Sequence, residues 1–287
     1  MTYLMSVFMG VLQGVAEFLP ISSSGHLALF QYFVGMEDIE STQLFFTVML
    51  HFGTLISVFI YYWRDIVDMI REFCLGVASL ASPRLREKDG GKIPPARRLV
   101  LLIIVGTLPL FAVLPVKGVI ESATGNVFFV SVALIATGFL LFFSDRMARG
   151  KKNESRATLL DALLVGCAQA VGTLPGISRS GATISAGLLR GYDRTFAVRF
   201  SFLMSLPAVV GATILELKDA LEVGVDPELL PMILVGMAVS AVVGYFAIRL
   251  VNLLANKGKF GKFSYYCWAV GLGALIAGIA KSALLSA

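Results

Sequence analysis

Two short stretches carry nearly all the chemistry this chain could do. In LQGVAEFLPISSSGHL, residues 12–27, an otherwise oily segment holds Gln13, Glu17, three serines (Ser22, Ser23 and Ser24) and His26. In PGISRSGATISAGLLRG, residues 175–191, Arg179 stands between Ser178 and Ser180, with Thr183 one turn on. A serine, a histidine and a carboxylate near one site resemble the parts of a nucleophilic hydrolase. A guanidinium is a planar fork suited to phosphate oxygens. Together these groups suit an anion with several oxygens, such as a phosphate or diphosphate.

The elements around them fit that reading. Proline, glycine and serine interrupt both stretches, and a helix pattern resumes after each Ser-Gly: GHLALFQYFVG and GATISAGLLRG. Ser24 and Ser180 are the predicted N-caps. Two helix N-termini would then present N–H groups and positive dipole ends to a ligand. Gly25 and Gly181 would let that ligand approach the backbone closely. Ser22, Ser23, Ser24, Ser178, Ser180 and Thr183 would line the pocket. Gln13 and Glu17 are four residues apart and share a helix face. His51, alone in an apolar run, is predicted to be a hydrogen-bonded core residue. The blander alternative is a structural Glu17–Arg179 salt bridge with capping serines. Capping accounts for one or two of the serines, not for the set.

The rest of the chain must hold these groups inside a membrane. Of 287 residues, 57% are hydrophobic and 15% charged, with mean hydropathy +0.82. This is the composition of an all-α polytopic membrane protein. Six runs approach the roughly 20 residues needed to span a bilayer. They are about Leu44–Trp63, Leu99–Val116, Val127–Phe143, Phe200–Leu215, Leu229–Ile248 and Phe263–Ala280. Tyr3–Val34 and Leu159–Leu189 are each broken in the middle, and each half is short. They are expected to be re-entrant helical hairpins, whose broken backbone is tolerated only where protein or a wet cavity surrounds it. Cys74, Cys167 and Cys267 form no pair motif and are read as packing residues. No removable signal peptide is expected, since no Lys or Arg precedes the first apolar run.

Charge orders this layout. Twenty of the twenty-four basic residues fall in 64–98, 145–156, 190–199 and 249–262. The connections 35–43, 117–126 and 216–228 hold nine acidic residues against Lys117 and Lys218. With the basic loops cytoplasmic, both termini lie outside. The net charge of +5 is then a topology signal, and a nucleic-acid partner is not expected. PISSSGH aligns with GISRSGA at an offset of about 155 residues, and LFFTVMLHFGTLI with RFSFLMSLPAVVG at nearly the same one. Each half therefore reads as one hairpin plus three spans, residues 1–150 and 151–287. Three is odd, so the repeats are expected to be inverted, with the site where the two breaks meet.

LQGVAEFLPISSSGH and PGISRSGATISAGLLRG resemble the two signature motifs of the undecaprenyl-diphosphate phosphatase, or bacitracin-resistance, family, and the likeness extends through HFGTL and RFSFLMSLPA. The resemblance implies a bacterial inner-membrane enzyme that hydrolyses undecaprenyl diphosphate to the monophosphate and phosphate, recycling a lipid carrier for peptidoglycan and other wall polymers. It implies a fold of two inverted repeats with re-entrant hairpins. It makes Glu17, Ser23, His26 and Arg179 the catalytic set, with Ser178 beside the phosphates. Many family members carry a glutamate where this chain has Gln13, which cannot serve as a base. A divalent cation, Mg2+ or Ca2+, goes with the family, and Glu17 is the only local candidate to bind it. The implied mechanism has Ser23 attack the terminal phosphorus while His26 shuttles the proton; His26 or water as nucleophile stays open. Glu17 would orient His26, bind the metal or activate water. The sequence leaves a homodimer open.

A transporter or lipid-phosphate flippase is the rival class, because inverted repeats and midplane charges serve transport as well. The charge pattern makes a prediction whichever class holds. Single cysteines introduced at Asp38 and Asp226 in a cysteine-free background should be labelled on intact cells by an impermeant reagent. Cysteines at Gly90 and Lys152 should not. The reverse pattern would overturn the orientation, and disagreement within either pair would overturn the inverted layout.

Overall fold

A computed structural model describes residues 2–34, 40–81, 93–223 and 227–286. The connections holding Glu37, Asp38, Asp226, Arg84, Arg86, Lys88, Gly90 and Lys92 lie outside the described residues. Among the described residues the chain is helical throughout, with no strand. The helices are α1 (Tyr3–Phe18), α2 (Ser23–Val34), α3 (Glu40–Tyr61), α4 (Trp63–Ala81), α5 (Pro95–Thr107) and α6 (Lys117–Thr124). They continue as α7 (Val127–Met147), α8 (Leu159–Val171), α9 (Arg179–Leu189), α10 (Arg194–Val223), α11 (Leu230–Asn256) and α12 (Phe263–Ser286).

Among the described residues four stretches, Pro95–Ile120, Val127–Met147, Pro227–Asn256 and Phe260–Leu284, are long and apolar enough to cross a membrane; the bent pair α3–α4 meets the same test only if its two helices count as one span. The sixth expected run, Phe200–Leu215, lies inside α10 and contains Pro207. Two runs differ from expectation. The first ends at Tyr61, where the chain turns through 81° into α4. The second is α-helical only to Thr107 and continues as 3-10 turns at Leu108–Ala112 and Leu114–Val116. Pro109 and Pro115 lack the N–H that an α-helix needs at those points. α4 itself was read as a plain basic connection. It is an amphipathic helix whose Asp65 and Glu72 bind Arg199 and Arg97.

Both interrupted regions are pairs of short helices. α1 has 16 residues, α2 12, α8 13 and α9 11, each below the roughly 20 that a full crossing requires. α1 packs on α11 and α3, while α8 packs on α5 and α9. Glycines permit these approaches. A side chain on Gly10 of α1 would strike the Gly236 carbonyl of α11, and one on Gly166 of α8 would strike the Gly106 carbonyl of α5. Small residues let helix backbones touch where lipid supplies no hydrophobic drive between them.

The basic segments converge on one end of the bundle. Asp161, fully buried at the start of α8, takes Lys152 at 2.9 Å and Arg190 at 2.8 Å, and Arg199 reaches Glu154 at 3.6 Å. Asp145 pairs with Arg194 and accepts the Gly261 N–H at 2.9 Å. Of the cysteines only Cys267 is buried; Cys74 and Cys167 are exposed, so the packing reading holds for one of three.

Candidate active site

The two breaks meet. Ser22 Oγ donates to the Ile177 carbonyl of the second tip at 3.2 Å, and Ser180 Oγ donates to the Leu19 carbonyl of the first at 3.3 Å. Thr137 of α7 pins the second tip from behind: its hydroxyl donates to the Gly176 carbonyl at 3.1 Å and accepts the Ser178 N–H at 3.2 Å. Gly25 rests on the Gly176 backbone, where a Cβ would come within 2.9 Å.

This geometry corrects the predicted caps. Helix α9 is capped by Ser178, whose Oγ accepts the Gly181 N–H at 3.1 Å. Helix α2 is closed by Ser22, whose Oγ accepts the Gly25 N–H at 3.2 Å. Ser24 and Ser180, the predicted caps, sit inside the first turns. Ser22 adopts φ of 70°, a left-handed conformation that costs a non-glycine residue about 1–2 kcal/mol. Its hydroxyl, bonded to both tips, holds it there. The predicted role of the two glycines also changes. Gly25 faces the other tip and Gly181 faces the Ser178 side chain, so protein atoms take the close approach expected of a ligand.

At the junction Arg179 Nη2 is ion-paired with Glu17 Oε1. Ser23 Oγ donates to Glu17 Oε2 at 2.9 Å, and Gln13 Nε2 donates to the same oxygen at 3.1 Å. Arg179 Nη1 is buried without a hydrogen-bond partner. A cavity of about 10 Å3 lies beside the pair, lined by Glu17, Arg179, Ser180, Thr183, Ser201 and Ser205. That is room for roughly one water.

Three residues of the neighbourhood, Ser201, Ser205 and Tyr266, escaped the sequence reading, and the place of a fourth, His51, was missed. His51 is hydrogen-bonded as expected, but it is only partly buried and stands beside Glu17. Its Nδ1 lies 3.0 Å from Gln13 Nε2 and 3.8 Å from Glu17 Oε2. The signal was available, since a titratable group in an apolar span flags function. Ser201 and Ser205, one turn apart on α10, line the cavity, and Ser201 bonds Thr183 at 2.5 Å. Tyr266 of α12 stacks on His26, ring planes 9° apart, and its hydroxyl lies 2.9 Å from His26 Nε2. Nothing in the sequence marked Tyr266. His26 Nδ1 donates to the Ser22 carbonyl at 2.8 Å, because a carbonyl can only accept. Both ring nitrogens of His26 are thus engaged by groups other than Ser23 and Glu17. Ser24 is exposed and reaches only Ser22 Oγ, at 3.4 Å.

The donor set does not suit a metal held by protein alone. Among the described residues no group of three or more His, Cys, Asp or Glu could hold an ion. Both Glu17 oxygens already accept bonds from Arg179, Ser23 and Gln13.

A family model described as bacitracin resistance protein BacA matches residues 6–273. The chain belongs to the BacA family. BacA-family relatives named undecaprenyl-diphosphatase are similar over almost their full length. The one from Alkaliphilus metalliredigens is 40% identical over 273 residues, covering 94% of this chain and 97% of the relative. That from Halothermothrix orenii is 41% identical, covering 94% and 96%. That from Methanosphaera stadtmanae is 37% identical, covering 95% and 97%.

The buried pair makes a stability prediction. Removing one partner of a buried ion pair strands the other and costs about 3–5 kcal/mol, whereas replacing both with apolar groups is far milder. Glu17→Gln and Arg179→Met should each lower the melting temperature in detergent, and the double variant should lie above the sum of the two losses. Strict additivity in that cycle would show that the two side chains do not hold the tips together.

Proposed function

We propose that this chain is an integral-membrane phosphatase that hydrolyses undecaprenyl diphosphate to undecaprenyl phosphate and inorganic phosphate. The carrying observation is the junction of the tips. A serine hydroxyl is already hydrogen-bonded to a carboxylate, beside a guanidinium with one prong free. The family and its relatives' names support the substrate.

In this reading the terminal phosphate draws Arg179 away from Glu17, and the fork takes two phosphate oxygens. The first-turn N–H groups of α2 and α9 that lack intrahelical acceptors add donors, and Ser178, Ser180 and Thr183 surround the anion. Ser23 Oγ attacks the terminal phosphorus, and its proton passes to Glu17. The bond from that phosphorus to the bridging oxygen breaks, and undecaprenyl phosphate leaves. Water then hydrolyses the phosphoseryl group. Arg179 offsets charge as the phosphoryl group transfers. Because His26 is held by the Ser22 carbonyl and Tyr266, the proton-accepting role goes to Glu17 rather than His26. His51 and Gln13 hold the Glu17 carboxylate toward Ser23. A divalent cation would rest on the substrate phosphates with Glu17 as its single protein ligand.

We read the halves as inverted repeats with re-entrant hairpins, both termini outside the cytoplasmic membrane. The exchange of partners supports this: α1 of the first half packs on α11 of the second, and α8 of the second on α5 of the first. So do the matching caps Ser22 and Ser178.

Purified protein in detergent should release phosphate from undecaprenyl diphosphate; a pure transporter would release none. Arg179→Lys keeps the charge but loses the fork. A charge-assisted bond contributes about 1.5–3 kcal/mol, so turnover should fall about tenfold or more. Near-wild-type turnover by a folded lysine variant would remove Arg179 from the phosphate site.

A further inference from the structure

Outside the tip junction, α2 and α12 leave a shallow open groove of about 420 Å3 between them. Phe30 and Phe33 of α2 form one wall; Gly273, Ala274 and Ala277 of α12 form the other. The floor is packed: Leu29 and Ala274 are buried in a cluster with Val127, Val130 and Leu134 of α7. Small residues facing two aromatic rings are what keep the trough open.

The groove runs along the same helix faces that carry Ser23, His26 and Tyr266. Ser23, His26, Phe30 and Phe33 recur at three- and four-residue steps, so they form one stripe along α2. Tyr266, Val270, Gly273 and Ala277 form a matching stripe on α12. The stripes touch at His26 and Tyr266, and the groove opens beyond that contact. One end therefore begins about one helical turn past the His26–Tyr266 contact, and the other reaches Phe33, which is 42% exposed.

We propose that this groove binds the prenyl chain of the substrate, seating isoprene units that follow the two nearest the diphosphate. The proposal rests on the phosphatase reading above. An isoprene unit is methyl-branched and stiffened by a double bond. A trough with a small-residue wall admits the branches, and the Phe30 and Phe33 rings offer flat apolar faces. A bilayer lipid can meet the same surface. The substrate is anchored at Arg179, so the units that follow its first two arrive at the groove mouth at high effective concentration. Productive turnover then depends on contacts made along α12, and long chains gain more from them than short ones.

Gly273 supplies a clean test. A Cβ there would meet no atom within 4 Å, so Gly273→Phe attaches without backbone strain and places a ring at the groove wall. Gly211 of α10 is equally open and lies outside the groove, so Gly211→Phe is the matched control. The readout is kcat/KM for undecaprenyl diphosphate divided by that for geranyl diphosphate. Gly273→Phe should lower this ratio about tenfold or more, the loss expected when a few buried methylenes lose their contact. Gly211→Phe should leave it at the wild-type value. An unchanged ratio in folded Gly273→Phe would show that the groove holds only bilayer lipid and overturn the proposal. If Gly273→Phe is recovered unfolded, Gly273→Leu carries the same comparison. Wild-type protein that releases phosphate from neither substrate would sink the phosphatase reading, and the groove assignment with it.

Discussion

The ion pair between Glu17 and Arg179 is the constraint on which this molecule depends. Each charge alone at membrane depth costs roughly 2.5–3.5 kcal/mol on insertion scales, and the two sit on helix breaks far apart in sequence. Neither is tolerable unless the breaks meet. The surrounding structure secures that meeting: Gly25 rests on Gly176, Ser22 reaches Ile177, Ser180 reaches Leu19, and Thr137 braces the second tip. Behind the tips, glycine contacts bring α1 against α11 and α8 against α5. A substitution in any of these supports acts on the site through the distance between two side chains.

The same pair explains how a tightly closed junction can serve chemistry. With one Arg179 prong on Glu17 and the other unpartnered, the guanidinium is half committed. An incoming phosphate offers it two oxygens in place of one carboxylate oxygen. Glu17 keeps its bonds to Ser23 and Gln13, so the hydroxyl stays aimed while the cation changes partner. The structural ion pair and the catalytic site are in this account one arrangement in two states.

Much of this was legible before any coordinates. The apolar runs, the two breaks and the shared face of Gln13 and Glu17 follow from composition and helical period, which are local properties. Most of the misreadings were non-local. Which serine of Ser22–Ser24 closes α2 depends on a bond to Ile177, and Ser22 takes a left-handed conformation that no serine-rich string announces. His51 joins the site because α3 packs on α1, and Tyr266 reaches His26 because α12 lies beside α2. Neither neighbour is visible in a linear string. The amphipathic pattern of α4 was present but hidden inside a region counted only for its charge.

The central claim is that Ser23, aimed by Glu17, is the atom that attacks phosphorus. Protein quenched during turnover of undecaprenyl diphosphate labelled at its terminal phosphate, then digested and mapped by mass spectrometry, tests this most directly. The account predicts an acid-stable phosphoryl group on Ser23. Label on His26, or no labelled protein together with substantial turnover in Ser23→Ala, would contradict it.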